Sequence, residues 1–249
     1  MIAQSARPAS GFRYLELLVL LGALQAFAPL SIDMYLPAMP VMETVFHTSA
    51  AAVQMTMVTF LAGYAIGQSL YGPFTDRFGR KPPLYASLVL FILSSAACAI
   101  APTIPLISTF RVLQAIGACG GSVMSRAMVR DLFPSDQLRR IFSMLVLVLG
   151  VSPVIAPLFG SYLLVWFGWK AAFVAQATLG AACLMGMHFR LPESLGHDAR
   201  LPLRWDVISS AYTRLLRDRT FLGASVVCGF SSAGTFAYIT SAPSEPCKD

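Results

Sequence analysis

Gly72-Pro73-Phe74-Thr75-Asp76-Arg77-Phe78-Gly79-Arg80-Lys81 places three basic residues and one acid within ten positions, between two long apolar runs. Those runs, read at 52–73 and 84–101, are of the length that crosses a hydrocarbon core about 30 Å thick at about 1.5 Å per helical residue. A charged turn this short between them reads as a membrane hairpin. Its glycines allow a sharp reversal and close helix approach, and its cations hold it at the polar face.

Working outward, further apolar runs lie at 15–36, 104–128, 141–165, 169–189 and 221–240, which makes seven expected spans. The 249 residues are 56% hydrophobic and 12% charged, against roughly 45–50% and 25% in soluble domains, which excludes an ordinary water-soluble globule. A backbone crossing lipid must satisfy its own hydrogen bonds, so runs of this kind are helices. The expected fold class is therefore all-α, a polytopic membrane protein. Pro102 and Pro105 mark a tight connection between the third and fourth runs.

The charges orient the chain. With the amino terminus cytoplasmic, the inner segments 1–14, 74–83, 129–140 and 190–220 hold fourteen basic residues, and the outer segments hold one, Lys170. That bias predicts a multi-pass membrane protein with its amino terminus inside. The net charge of +6 then reflects topology, and membrane lipid rather than nucleic acid is the expected partner. Arg7 and Arg13 ahead of Ala26-Phe27-Ala28 imitate a secretory signal, but the apolar run continues to Leu36 and is read as an uncleaved span.

The expected organisation is a cytoplasmic tail over 1–14, a six-span bundle over 15–189, a cytoplasmic linker over 190–220, a further span over 221–240 and a polar tail over 241–249. Within the linker Trp205, Ile208, Tyr212 and Leu215 recur at helical spacing opposite Arg204, Arg214 and Arg217. That pattern fits either a helix lying on the membrane surface or a solvated helix packed on the bundle.

The five cysteines form no C-x-x-C pair, and four of them sit in apolar runs as small buried side chains. His47, His188 and His197 fall in loops or at a span end. No catalytic constellation, metal site or cofactor is therefore expected, and an intramembrane enzyme is disfavoured. A seven-helix receptor is disfavoured by the inward amino terminus and by the lack of a lysine in the last span.

Asp33 and Arg111 lie within apolar runs, where ionised groups are costly and functional by default. Both fall in the outer half of the membrane, so they can face one cavity and pair when the acid is ionised; the alternative for Asp33 is a wet acid at a helix end. Tyr35, Phe60, Tyr64 and Phe110 stand at membrane depth and are assigned no role.

The opening stretch resembles the signature of the major facilitator superfamily, G-x-x-x-D-R-x-G-R-[RK], at Gly72, Asp76, Arg77, Gly79, Arg80 and Lys81. Ser31-Ile32-Asp33-Met34-Tyr35-Leu36-Pro37-Ala38-Met39-Pro40 is similar to the first-span motif of drug:proton antiporters, closest in wording to the Bcr/CflA multidrug efflux subfamily. Arg111-Val112-Leu113-Gln114-Ala115-Ile116-Gly117 resembles their span 4 motif R-x-x-Q-G-x-G, with Ala115 in place of a glycine. Ser152-Pro153-Val154-Ile155-Ala156-Pro157-Leu158-Phe159-Gly160-Ser161 resembles the span 5 motif G-x-x-x-G-P-x-x-G-G, with small residues at three of its glycine positions.

The resemblance implies the six-helix amino-terminal half of a major facilitator fold plus a seventh span, exporting amphipathic small molecules in exchange for protons. It implies that Arg111 and Gln114 serve proton coupling and Asp33 binds protons or cations. It implies a conformational latch of Asp76, Arg80 and Asp131, with Arg130 beside it, and a leak-limiting hinge at Pro157 and Gly160 of the span 5 motif, to which Pro153 also belongs. Gln25, eight residues before Asp33, leaves span 1 without a second obvious acid. A carboxy-terminal half is expected as the missing partner, and the polar ending after Ser241 reads as an incomplete gene, a frameshift near residue 243 or a fragment. An importer of sugars or metabolites and a non-transporting membrane fragment that associates with other chains remain the alternatives.

Overall fold

A computed structural model describes residues 11–190, 210 and 213–241. The described elements are α1 (Gly11–Asp33), a 3-10 turn (Leu36–Ala38), α2 (Met39–Val45), α3 (Ala50–Phe78), α4 (Lys81–Ile100), α5 (Ile104–Leu132), α6 (Ser135–Phe167), α7 (Lys170–Arg190) and α8 (Arg219–Ser241). No strand occurs among the described residues. Six stretches are long and apolar enough to cross a membrane: Tyr14–Val45, Ala50–Phe78, Lys81–Ile100, Ile104–Leu132, Ser135–Phe167 and Lys170–Arg190.

The helices are longer than their apolar runs because helix continues into the charged ends. The signature stretch is thus mostly helix, and only Gly79 and Arg80 separate α3 from α4. This corrects the reading of 72–81 as a loop. Gly72 lies inside α3 with open space where a Cβ would sit, so it neither reverses the chain nor admits a neighbour. The reversal is made by Gly79, whose φ of 89° lies in the left-handed region that favours glycine. Pro82 and Pro83 then fall in the first turn of α4, where the N–H groups have no helical partner to lose.

The chain divides into two compact units, Met1–Leu201 and Pro202–Asp249. In the first, α5 is the central helix and packs on α1, α3 and α4, while α7 packs on α4 and α1, and α6 on α1. The consecutive buried residues Gly117, Ala118, Cys119, Gly120, Gly121 and Ser122 make this possible, since small side chains let membrane helices approach closely. Phe27 of α1 stacks on Phe91 of α4, with centroids 4.7 Å apart. Arg190 donates to Glu16 at 2.8 Å, joining the end of α7 to the start of α1 as an even number of antiparallel crossings requires.

The outward faces are apolar. Leu147, Val154, Leu158 and Val165 of α6 are all exposed, as expected of a surface covered by lipid or by another bundle rather than water. The second unit contributes α8, on which Cys228 is exposed rather than buried as its apolar run suggested; Cys98, Cys119 and Cys183 are buried. The tail over 1–10, most of the linker including Trp205, Ile208 and Tyr212, and the ending after Ser241 lie outside the described residues.

Candidate functional site

Two polar clusters occupy opposite ends of the six-helix bundle. At the basic end, Arg80 follows the Gly79 reversal and meets both neighbouring helices. Its Nε donates to Asp131 Oδ2 of α5 at 2.9 Å, and its Nη1 donates to Asp76 Oδ1 at 3.0 Å and Thr75 Oγ1 at 2.9 Å on α3. The Thr75 hydroxyl donates in turn to the Gly72 carbonyl. One guanidinium thus ties the α3–α4 turn to the end of α5 through charge-assisted bonds. Two further basic residues are arranged differently: Arg77 of the signature lies over the Phe78 ring at 5.4 Å, and Arg130, beside the implied latch, over the Phe142 ring at 5.7 Å.

Deeper in the bundle, Arg111 of α5 is fully buried. Its Nη1 donates to the Ser31 carbonyl oxygen and to Gln114 Oε1, each at 2.9 Å, and its Nη2 reaches Met57 Sδ at 3.4 Å. The cation sits 4.4 Å from the Tyr35 ring centroid and 4.5 Å from that of Phe60, with Phe173 at 5.8 Å. Aromatic faces supply negative potential where water is absent. Gln114 completes the network by donating from Nε2 to Ser95 Oγ at 2.8 Å and to Gln176 Oε1 at 2.7 Å. Ser31 Oγ, Arg111 Nε and Gln176 Nε2 remain buried without a partner among the described residues.

Asp33 is the last residue of α1 and is 5% exposed. The picture of a wet helix-end acid does not hold, because the helical stretch continues past it through the 3-10 turn and α2 and the carboxyl lies buried within the bundle. Nor does Asp33 pair with Arg111. No carboxylate among the described residues lies within ion-pair distance of that guanidinium, which spends its donors two residues earlier, on the Ser31 carbonyl.

The span 5 residues meet the same corner. A Cβ on Gly160 would lie 2.5 Å from the Met34 carbonyl oxygen, so α6 crosses the end of α1 at a distance only glycine permits. Pro153 and Pro157 lie inside α6, each removing one helical hydrogen bond.

Sequence reasoning missed Gln176, Ser95 and Phe173 and left Tyr35 and Phe60 without a place. A readable signal existed for one of them: Gln176 is an amide inside an apolar run, where it must find a partner.

A family model, the Major Facilitator Superfamily, matches residues 21–245. The chain belongs to the Major Facilitator Superfamily. It is 36% identical over 236 residues to the MFS-type transporter YdgK of Bacillus subtilis (strain 168), covering 94% of this chain and 59% of that protein. It is 32% identical over 220 residues to the bicyclomycin resistance protein homolog of Haemophilus influenzae, covering 88% of this chain and 55% of that protein. The chain thus spans little more than half the length of these relatives. The solved proton:xylose symporter XylE shares the fold, with a TM-score of 0.63 at 19% identity over 72% of this chain and 45% of that one.

Proposed function

We propose that this chain forms the amino-terminal bundle of a proton-coupled exporter of amphipathic organic molecules in the cell inner membrane, with its amino terminus cytoplasmic. The observation that carries the reading is the buried Arg111 guanidinium. It grips α1 two residues before the buried Asp33 without forming an ion pair with it. A carboxyl and a cation at one membrane depth form a cluster whose net charge changes by one when a proton or a cationic substrate arrives. Such a change moves the protein only if it favours one of two packings, and on this proposal the ion pairs of Arg80 with Asp76 and Asp131 are the contact that differs between them. Gln114 couples Arg111 to α7, while Pro157 and Gly160 set how α6 pivots on α1. The name of the bicyclomycin resistance relative supports a drug as cargo.

The second wall of the transport cavity comes, on this proposal, from a carboxy-terminal bundle, so this chain alone leaves drug accumulation in cells unchanged. Joined in frame to the carboxy-terminal bundle of the YdgK relative, it extrudes ethidium against its gradient, and an uncoupler stops the extrusion. In that chimera Asp33→Asn impairs cationic substrates more than neutral ones. Uptake of solute instead of extrusion identifies an importer, and equal loss for both substrate classes removes Asp33 from substrate recognition.

A further inference from the structure

A second cation lies at membrane depth and none of the roles above employs it. Arg126 of α5 is half-buried, six residues before the end of the helix at Leu132, or about 9 Å from that end by helical rise. Its guanidinium turns back on its own helix, Nε donating to the Ser122 carbonyl at 3.2 Å and Nη2 to Ser122 Oγ at 3.4 Å. That occupies two of the five donors of an arginine, and no carboxylate among the described residues pairs with it.

Around it stands a ready set of neutral polar groups. Ser122 Oγ and Ser125 Oγ both donate to Gln25 Oε1 of α1, at 3.2 and 2.9 Å. Ser122 Oγ is thus the shared atom joining Arg126 to Gln25. The Tyr64 hydroxyl of α3 also neighbours Ser122. Gln25, Ser122 and Ser125 are buried, so the cation faces a built polar wall that carries no compensating charge.

We propose that Arg126, backed by Gln25, Ser122, Ser125 and Tyr64, is a subsite for the acidic group, a carboxylate or its equivalent, of a transported amphipathic molecule. The subsite rests on the transport reading above. Guanidinium binds carboxylates through paired donors, and the unused donors of Arg126 are of that kind. Asp33 stands eight residues further along α1 than Gln25, about 12 Å by helical rise. The α1–α5 pair therefore offers Asp33 together with Arg111 at one level and Arg126 without an acid at the other, and the substrate acid is read at the Arg126 level.

The test uses the purified full chain in phosphatidylcholine nanodiscs, with empty discs as background. Its probes are 1-pyrenebutyrate, 1-pyrenebutanol and 1-pyrenebutylamine, which share one apolar body. Arg126→Gln is expected to weaken butyrate binding at least tenfold and to change the alcohol less than twofold, with Arg126→Lys restoring part of the loss. Gln25→Glu keeps the arginine but sets a carboxylate beside it, and is expected to remove the preference for butyrate and strengthen the amine. It carries the test if Arg126→Gln does not fold. A butyrate affinity that moves less than twofold in the folded variants, or a parallel loss of all three probes, overturns the subsite and leaves the transport reading standing. A wild-type chain that binds none of the three above background also overturns the subsite, while the transport reading is decided separately by extrusion in the chimera.

Discussion

Arg111 Nη1 donates to the carbonyl oxygen of Ser31, eighty residues earlier in the chain, at 2.9 Å. That carbonyl lies in the last turn of α1, where the helix end leaves backbone carbonyls in need of donors. The arginine therefore serves as the cap that the helix lacks locally, and the three rings around it take the place of a counter-ion.

Replacing Arg111 tests that arrangement. Arg111→Leu strands the Ser31 carbonyl and Gln114 Oε1 in a dry interior, and the expected cost is on the order of 2–4 kcal/mol, from two lost charge-assisted bonds. Arg111→Lys keeps the charge but neither the fork nor the ring stacking, and recovers less than half of that loss. Thermal unfolding of the purified chain in detergent reads both; an Arg111→Leu protein as stable as wild type would remove the capping role.

Arg80 is shared by two acids, so its interactions are not independent. In a double-mutant cycle of Asp76→Asn and Asp131→Asn the coupling is expected to be about 0.5–1.5 kcal/mol, each single change leaving the arginine its other partner. Because the site lies at the polar end of the bundle, the coupling should shrink as salt rises from low to physiological strength. Additive losses at every salt concentration would mean that the two contacts do not compete or cooperate through one guanidinium.

Two glycines of one helix make opposite predictions. Gly160→Ala places a methyl 2.5 Å from the Met34 carbonyl oxygen, and the overpacking is expected to cost about 1–3 kcal/mol. Gly150→Ala meets nothing within 4 Å and should gain up to about 1 kcal/mol of helix propensity. Unfolding by graded additions of SDS gives the sign of each, and destabilisation of both to the same degree would contradict the α1–α6 contact.

Gln176→Leu removes the acceptor that takes a hydrogen from Gln114 Nε2 at 2.7 Å. Gln114 retains Ser95, so the cost should be modest, about 0.5–1.5 kcal/mol in a membrane interior. Gln114→Leu takes one partner each from Arg111, Ser95 and Gln176 at once and should cost at least twice as much. Equal costs, measured by the same unfolding, would show that the amide pair carries the network by itself.

The signature stretch illustrates how far a sequence reading reaches. The resemblance implies one cluster of Asp76, Arg80 and Asp131, and the structure brings the three together because Asp76 lies in the last turn of α3 and the short Gly79–Arg80 turn sets the guanidinium between it and the end of α5. The same reading took Gly72 as a close-contact glycine and 72–81 as a loop. Charge density there resembled a turn, whereas α3 continues through it to Phe78. Tight approaches fall instead at glycines within the spans, among them Gly63 and Gly160, whose partners Val112 and Met34 are distant in sequence and carry no polar signal.

Hydrocarbon imposes its demands locally, and so the helical class, the succession of the first six of the seven expected spans and the charge asymmetry of their ends were legible in the sequence alone. Every residue of a span must be apolar or accounted for, and the backbone has one way to satisfy itself in lipid. The partners of the buried polar groups were decided only by tertiary structure. Helices apolar on nearly every face carry little record of which side turns inward. The rotation of α1 against α5, set by small residues and close backbone contact, gives Arg111 to the Ser31 carbonyl rather than to Asp33, and joins Gln114 to Gln176 across 62 residues of chain.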